Sequence, residues 1–173
     1  MSGKLLLKLD SINFTLGNHT HEHFPFLAER CNTRNRTIFY HTLGRLLFME
    51  DSTNKFKAFM QPLDALCAAL ELQMMDLNMF RSEGCKQALI GLFRDLRGIA
   101  MATNGRRTYG QLFDWIYPAH VGLLLRTVEV WTDVPEVIIP LLKFMSEFVF
   151  NKTQRLTFDS SSINGILLFK EVR

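Results

Sequence analysis

Cysteine, proline and glycine are all scarce in this chain of 173 residues, at 3, 5 and 10, and each scarcity removes a class of protein. Three cysteines, Cys31, Cys67 and Cys85, are odd in number and far apart, which excludes a disulfide-stapled scaffold and fits buried thiols in a reducing compartment. So few glycines and prolines do not supply the turns of a strand-rich sandwich or barrel. Charge of one sign is also lacking, because 20 basic and 17 acidic residues leave a net charge of only +3. Nucleic-acid binders concentrate a larger basic excess on one face, so no nucleic-acid partner is expected. No apolar run approaches the ~20 residues of a membrane span, and the lysines at Lys4 and Lys8 interrupt the first one. No signal-cleavage pattern follows, so the expectation is a soluble, intracellular chain without membrane insertion. The sequons that begin at Asn13, Asn18, Asn35 and Asn151 then never meet the glycosylation machinery.

Chemistry is missing as well. There is no Gly-x-Ser-x-Gly elbow, no phosphate-cradling Gly-x-x-x-x-Gly-Lys and no His-Glu-x-x-His helix, so no enzyme and no cofactor are expected. His19, His21 and His23 alternate, and in an extended segment their imidazoles would share a side as a zinc site requires. A fourth ligand is absent nearby and the segment reads as a loop, which favours capping or surface hydrogen bonds over metal. Asp159 and the serines that follow it resemble a nucleophile cluster only superficially.

What the chain does have is apolar side chains at helical spacing: 47% of its residues are hydrophobic, with 15 Phe and 8 Met. Leu5, Leu6, Leu9, Ile12 and Leu16 predict a first helix over 4–16, stopped in the left-handed region at Gly17 and Asn18. A second, over 33–49, buries Ile38, Tyr40, Leu43, Leu46, Leu47 and Phe48 and leaves Arg34, Arg36 and Arg45 in water. The third carries Phe56, Phe59, Met60, Leu63, Leu66, Cys67, Leu70 and Met74, with Pro62 bending it or marking its true first turn. Ser82 is the N-cap candidate of a fourth, which runs to Thr103 before Asn104 and Gly105 end it. Thr108 to Tyr117 forms a short fifth, Pro118 opens a sixth over 119–131, and Pro135 opens a seventh to Val149 that is apolar on most sides and should be sandwiched between neighbours. A polar break at 151–162 precedes the start of an eighth over 164–172.

Helices this apolar, joined by short turns and recurring about every 40–45 residues, predict an all-α fold of the HEAT or armadillo kind: an α-solenoid of stacked antiparallel helix pairs. Residues 1–173 form a single segment of about four pairs, the last one incomplete. Both ends remain apolar, as in a piece cut from a longer stack, which predicts marginal stability and self-association. The candidate partner contacts are charged. Arg94 and Arg97 lie within one turn of each other, with Asp95 positioned to share a network with the next helix that either holds a partner or, more commonly, ties adjacent repeats together. Arg106 and Arg107 lie in a turn that can meet an acidic partner, though a solvated turn is the commoner reading. Trp115, Tyr117 and Trp131 read as core anchors with polar tips.

Three strings are specific enough to point further. Residues 88–100 (ALIGLFRDLRGIA), 112–118 (LFDWIYP) and 151–169 (NKTQRLTFDSSSINGILLF) closely resemble the exportins, nuclear transport receptors of the importin-β, or karyopherin, superfamily, and Asn18-His-Thr and His23-Phe resemble them too. His21 and the loop from Glu50 to Asn54 depart from the pattern. The resemblance implies a HEAT-repeat receptor that binds protein cargo together with the GTP-bound form of the small GTPase Ran, passes nuclear pore proteins, and shuttles between nucleus and cytoplasm. Within it this segment is a scaffold that offers one face to cargo. The N-terminal repeats that serve as a principal Ran surface in such receptors have no counterpart here. A HEAT-type adaptor without Ran-dependent transport is the alternative, and a zinc enzyme built on the histidine loop is third.

Overall fold

A computed structural model of the chain describes residues 10–29, 33–50 and 52–150. Among these residues the fold is all-α: α1 (Asp10–Gly17), a 3₁₀ turn (Pro25–Leu27), α2 (Thr33–Leu47), α3 (Thr53–Gln73), α4 (Leu77–Phe80), α5 (Glu83–Ala102), α6 (Arg106–Ile116), α7 (Val121–Trp131) and α8 (Pro135–Val149). The expected helix over 164–172, the polar break before it and the apolar run around Leu5 lie outside the described residues.

Local chemistry sets most of the helix ends. Ser52 caps α3 by accepting from the Lys55 amide, and Ser82 caps α5 by accepting from the Cys85 amide, both at 3.3 Å. α4 was not anticipated: Asp76 caps it by accepting from the amides of Asn78 and Met79, and it buries Phe80. Other ends differ from expectation. No described glycine has a positive φ, so Gly17 is not a left-handed stop, and the Asn18 side chain instead donates to the Phe14 carbonyl at 2.9 Å. Pro62 lies well inside α3 rather than in its first turn. A proline there leaves one carbonyl unpaired, and a helix anchored by Phe59, Met60, Leu63 and Cys67 in the core absorbs that loss. Pro118 sits in a cis-peptide turn before α7, not in its first turn.

The helices stack in two rows. Thr37 of α2 meets Arg94 of α5, and Gly44 of α2 meets Ala102, so the contacts advance in the same direction along both helices and the two are parallel. Lys86 of α5 likewise faces Glu136 of α8, while Arg97 lines a groove with Lys143. In the second row Thr53 meets Gln111, Asp64 meets Trp115 and Glu71 meets His120, so α3 runs parallel to α6 and the turn that follows it. Alternate helices packed in parallel are the signature of an α-solenoid. Partners across the stack lie 49 to 59 residues apart, longer than the spacing expected from sequence, because α3 is 21 residues long and α4 is inserted after it.

Among the described residues α5, rather than α8, is the sandwiched helix. It packs against α2 on one side and α8 on the other, with α3 also touching it. Leu89, Leu92, Phe93 and Ile99 are fully buried, and each such side chain contributes about 1.5–3 kcal/mol of hydrophobic transfer. α8 buries Val137, Leu141, Phe144 and Phe148 but leaves Ile139 and Leu142 about half exposed, at 49% and 53%. In α2 the expected core residue Ile38 is 68% exposed, and Arg36, expected in water, is turned inward.

Candidate functional site

The arginine-rich string of α5 divides between two faces of the helix. Asp95 is 2% exposed and faces α2, where its Oδ1 accepts from Arg36 Nε at 2.8 Å and its Oδ2 from Arg36 Nη2. The network therefore reaches back to the preceding helix of the row, not forward to the next one. Arg36 Nη1 also donates to the Leu27 carbonyl, which ties the 3₁₀ turn to this pair. Gly91 makes the room, since a Cβ there would lie 3.0 Å from the Arg36 guanidinium carbon. Burial pushes the Asp95 carboxyl up to about 6, against the opposing pull of the bidentate Arg36. Sequence periodicity could not single out Arg36, because its partner lies 59 residues away.

Arg94 and Arg97 face the other way. With Arg34, Ile38, Ile139 and Lys143 they line a groove of about 740 Å³ between α2, α5 and α8. Arg94 and Arg97 are half-buried, and the Nε of each is buried without a hydrogen-bond partner. Burial, then the like charges of Arg34, Arg97 and Arg36, hold Arg94 below the ordinary arginine value. Arg106 and Arg107 are not in a loose turn: they are the first two residues of α6, exposed beside a second groove with Arg45, Phe48 and Met49. The structure thus brings Arg94 and Arg97 together in one groove, turns Asp95 to the opposite side of α5 against Arg36, and keeps Arg106 and Arg107 at a different groove.

The histidine loop is pulled apart. His19 is 1% exposed, with Nε2 2.8 Å from the Phe59 carbonyl and Nδ1 3.1 Å from the Tyr40 hydroxyl, whereas His21 and His23 are exposed. A carbonyl can only accept, so Nε2 carries the proton; the Tyr40 hydroxyl donates to the His19 carbonyl at 3.2 Å and lies beside Nδ1. Among the described residues no group of three His, Cys, Asp or Glu is placed to hold a metal. Burial lowers the His19 pKa from its ordinary 6.5. The unfolded chain takes up a proton there that the folded chain resists, so this contribution is complete above pH 6.5 and is lost as the pH falls below it. Urea unfolding across this range should therefore show wild type losing stability relative to His19→Gln on acidification; parallel curves for the two proteins would contradict the buried neutral imidazole.

A bridge that sequence reading did not identify joins α3 to the α6–α7 turn. His120 lies 3.0 Å from Glu71 and 3.3 Å from Asp64, which also accepts from Trp115 Nε1 at 2.6 Å. Trp115 is thus an anchor with a paired polar tip, but Trp131 is not: its Nε1 is buried without a partner, and its ring lies 5.3 Å from the Arg81 guanidinium carbon. Cys67 and Cys85 are buried free thiols as expected, pushed up to about 12 and about 11 by burial, so neither is a thiolate nucleophile. No described helix is long and apolar enough to cross a membrane. Among the described residues the two grooves present arginine side chains beside apolar ones.

Comparison with known proteins identifies the relatives. Residues 1–35 match the family model described as Exportin-7-like, TPR domain. The chain is 46% identical over 177 residues to Exportin-7-B of Xenopus laevis, with 98% of the chain and 16% of that protein covered. It is 47% identical over 175 residues to Ran-binding protein 17 of Mus musculus (97% of the chain, 16% of that protein) and 42% identical over 170 residues to Exportin-7 of Dictyostelium discoideum (98% and 17%). The chain thus spans about one sixth of the length of these relatives. No solved structure matches it. Over nearly all of its length this all-α stack is homologous, at 42–47% identity, to about one sixth of exportin-7 and of Ran-binding protein 17.

Proposed function

We propose that this chain supplies one solenoid segment, of about four helix pairs, to a nuclear export receptor. That receptor binds protein cargo together with GTP-bound Ran, carries it past nuclear pore proteins, and shuttles between nucleus and cytoplasm. The observation that carries the reading is identity of 42–47% across 97–98% of the chain to proteins named exportin-7 and Ran-binding protein 17. The geometry supports a scaffold role. Each helix of a row touches mainly its neighbours in the stack, so small changes in crossing angle sum along the row and can couple a surface at one place to a partner at another. The candidate contacts are Arg94 and Arg97 in one groove and Arg106 and Arg107 at the other, with Asp95 holding α5 against α2. No catalysis is proposed.

The test is a chimera of a full-length exportin-7 relative in which the matching stretch is replaced by these 173 residues. It should bind Ran loaded with GTP in preference to Ran loaded with GDP, and it should clear a nuclear reporter cargo. Equal binding to both nucleotide forms, with the chimera folded, overturns the Ran-coupled reading in favour of a HEAT-type adaptor.

A further inference from the structure

We propose that the groove between α2, α5 and α8 is a docking site for an acidic peptide segment that carries aliphatic side chains, supplied by a partner protein. The inference rests on the groove alone and stands whether or not the chain serves in transport. Four cations line this groove, Arg34 from α2, Arg94 and Arg97 from α5, and Lys143 from α8, against one lining carboxylate, Glu136. Glu136 is directed away to Lys86, 3.6 Å distant, and Asp95, the other carboxylate nearby, is buried and held by Arg36. Among the described residues a single carboxylate thus stands against four positive charges in this groove, in a chain whose net charge is only +3.

Two further observations point to an occupant. The Nε atoms of Arg94 and Arg97 have no hydrogen-bond partner, so neither guanidinium is held in a bidentate pair as Arg36 is. A guanidinium also accepts a carboxylate in two parallel hydrogen bonds, which gives direction as well as attraction. Beside these cations lie Ile38 and Ile139, 68% and 49% exposed, on helices whose other apolar residues are largely in the core. An aliphatic surface next to an uncompensated arginine pair fits a peptide with alternating carboxylate and aliphatic side chains. It does not fit a nucleic acid, because no aromatic residue among the described ones lines the groove for a base to stack on.

The experiment is fluorescence anisotropy on the 173-residue chain with three labelled probes: a Glu/Leu peptide, the matching Lys/Leu peptide and a single-stranded oligonucleotide. The Glu/Leu peptide should bind with an affinity that falls with added salt, and the Lys/Leu peptide should not bind. Arg34→Glu combined with Lys143→Glu, both on exposed positions, should weaken binding at least about tenfold, which corresponds to about 1.4 kcal/mol. Arg94→Gln with Arg97→Gln should do the same, with unchanged circular dichroism as the check on folding. The paired control, Arg106→Glu with Arg107→Glu at the other groove, should leave binding within about twofold. Absence of binding by the Glu/Leu peptide, equal loss from the control pair, or tighter binding of the oligonucleotide would each overturn the proposal.

Discussion

Replacing Asp95 with alanine should destabilise the chain by about 3–5 kcal/mol, the largest effect expected of any single substitution here, because it strands the inward-turned Arg36 without a counter-charge. The loss has three parts that act together: the bidentate hydrogen bonds, the buried charge left unpaired, and the hold of Arg36 on the Leu27 carbonyl of the 3₁₀ turn. The pair is not a large source of net stability, however. Burial raises the Asp95 carboxyl to about 6 in spite of Arg36, so the cost of taking the carboxylate out of water exceeds what its partner returns. The double variant Arg36→Met with Asp95→Ala should therefore regain most of the stability that Asp95→Ala loses. Chemical unfolding of the two single variants and the double variant gives the coupling directly. Additive losses would mean that the two side chains do not depend on each other.

Gly98→Ala should cost about 2 kcal/mol net, and lower the melting temperature by roughly 4–8 °C, through contact between main chains rather than between side chains. A Cβ at this position would lie 2.4 Å from the Thr37 carbonyl oxygen, 2.8 Å from the His41 amide nitrogen and 2.9 Å from the Tyr40 Cβ. None of these can rotate aside, so α2 must be displaced from α5. Overpacking of this kind costs up to about 3 kcal/mol and outweighs the ~1 kcal/mol that alanine gains over glycine in a helix. Gly44 belongs to the same seam, with Ala102 Cβ 2.7 Å from where its Cβ would be. Gly110 in α6 provides the contrast: nothing lies within 4 Å of its missing Cβ, so Gly110→Ala should stabilise by about 0.5–1 kcal/mol. Thermal unfolding of the two variants should move in opposite directions; a Gly98→Ala chain as stable as wild type would refute the close approach of α2 and α5.

These two effects mark where sequence reasoning stops. Ser82 as a cap, the breaks near Asn104 and Pro118, and the burial of Leu89, Leu92 and Phe93 follow from residues close together in the chain, where spacing and capping chemistry act directly. Arg34, Arg36 and Arg45 occupy one helix and looked alike. They differ only in what a distant helix presents to each, and α5 presents a carboxylate to Arg36. The same holds for His19, chosen from three alternating histidines by the Phe59 carbonyl and the Tyr40 hydroxyl. It holds too for α8, whose apolar surface predicted burial on most sides, whereas among the described residues Ile139 and Leu142 are left 49% and 53% exposed.

By itself the sequence determined that this protein is an all-α stack of amphipathic helices and, through its particular strings, which family it resembles. Helix formation and capping are short-range, and a long string of specific residues carries its kinship without any fold. Only the tertiary structure decided that α5 is the central helix, that its Asp95 face is sealed against α2 through a seam of glycines, and that Arg94 and Arg97 open onto a groove. Those outcomes depend on which faces meet across 49 to 59 residues of intervening chain, and periodicity, which reports how apolar a face is, carries no information about its partner.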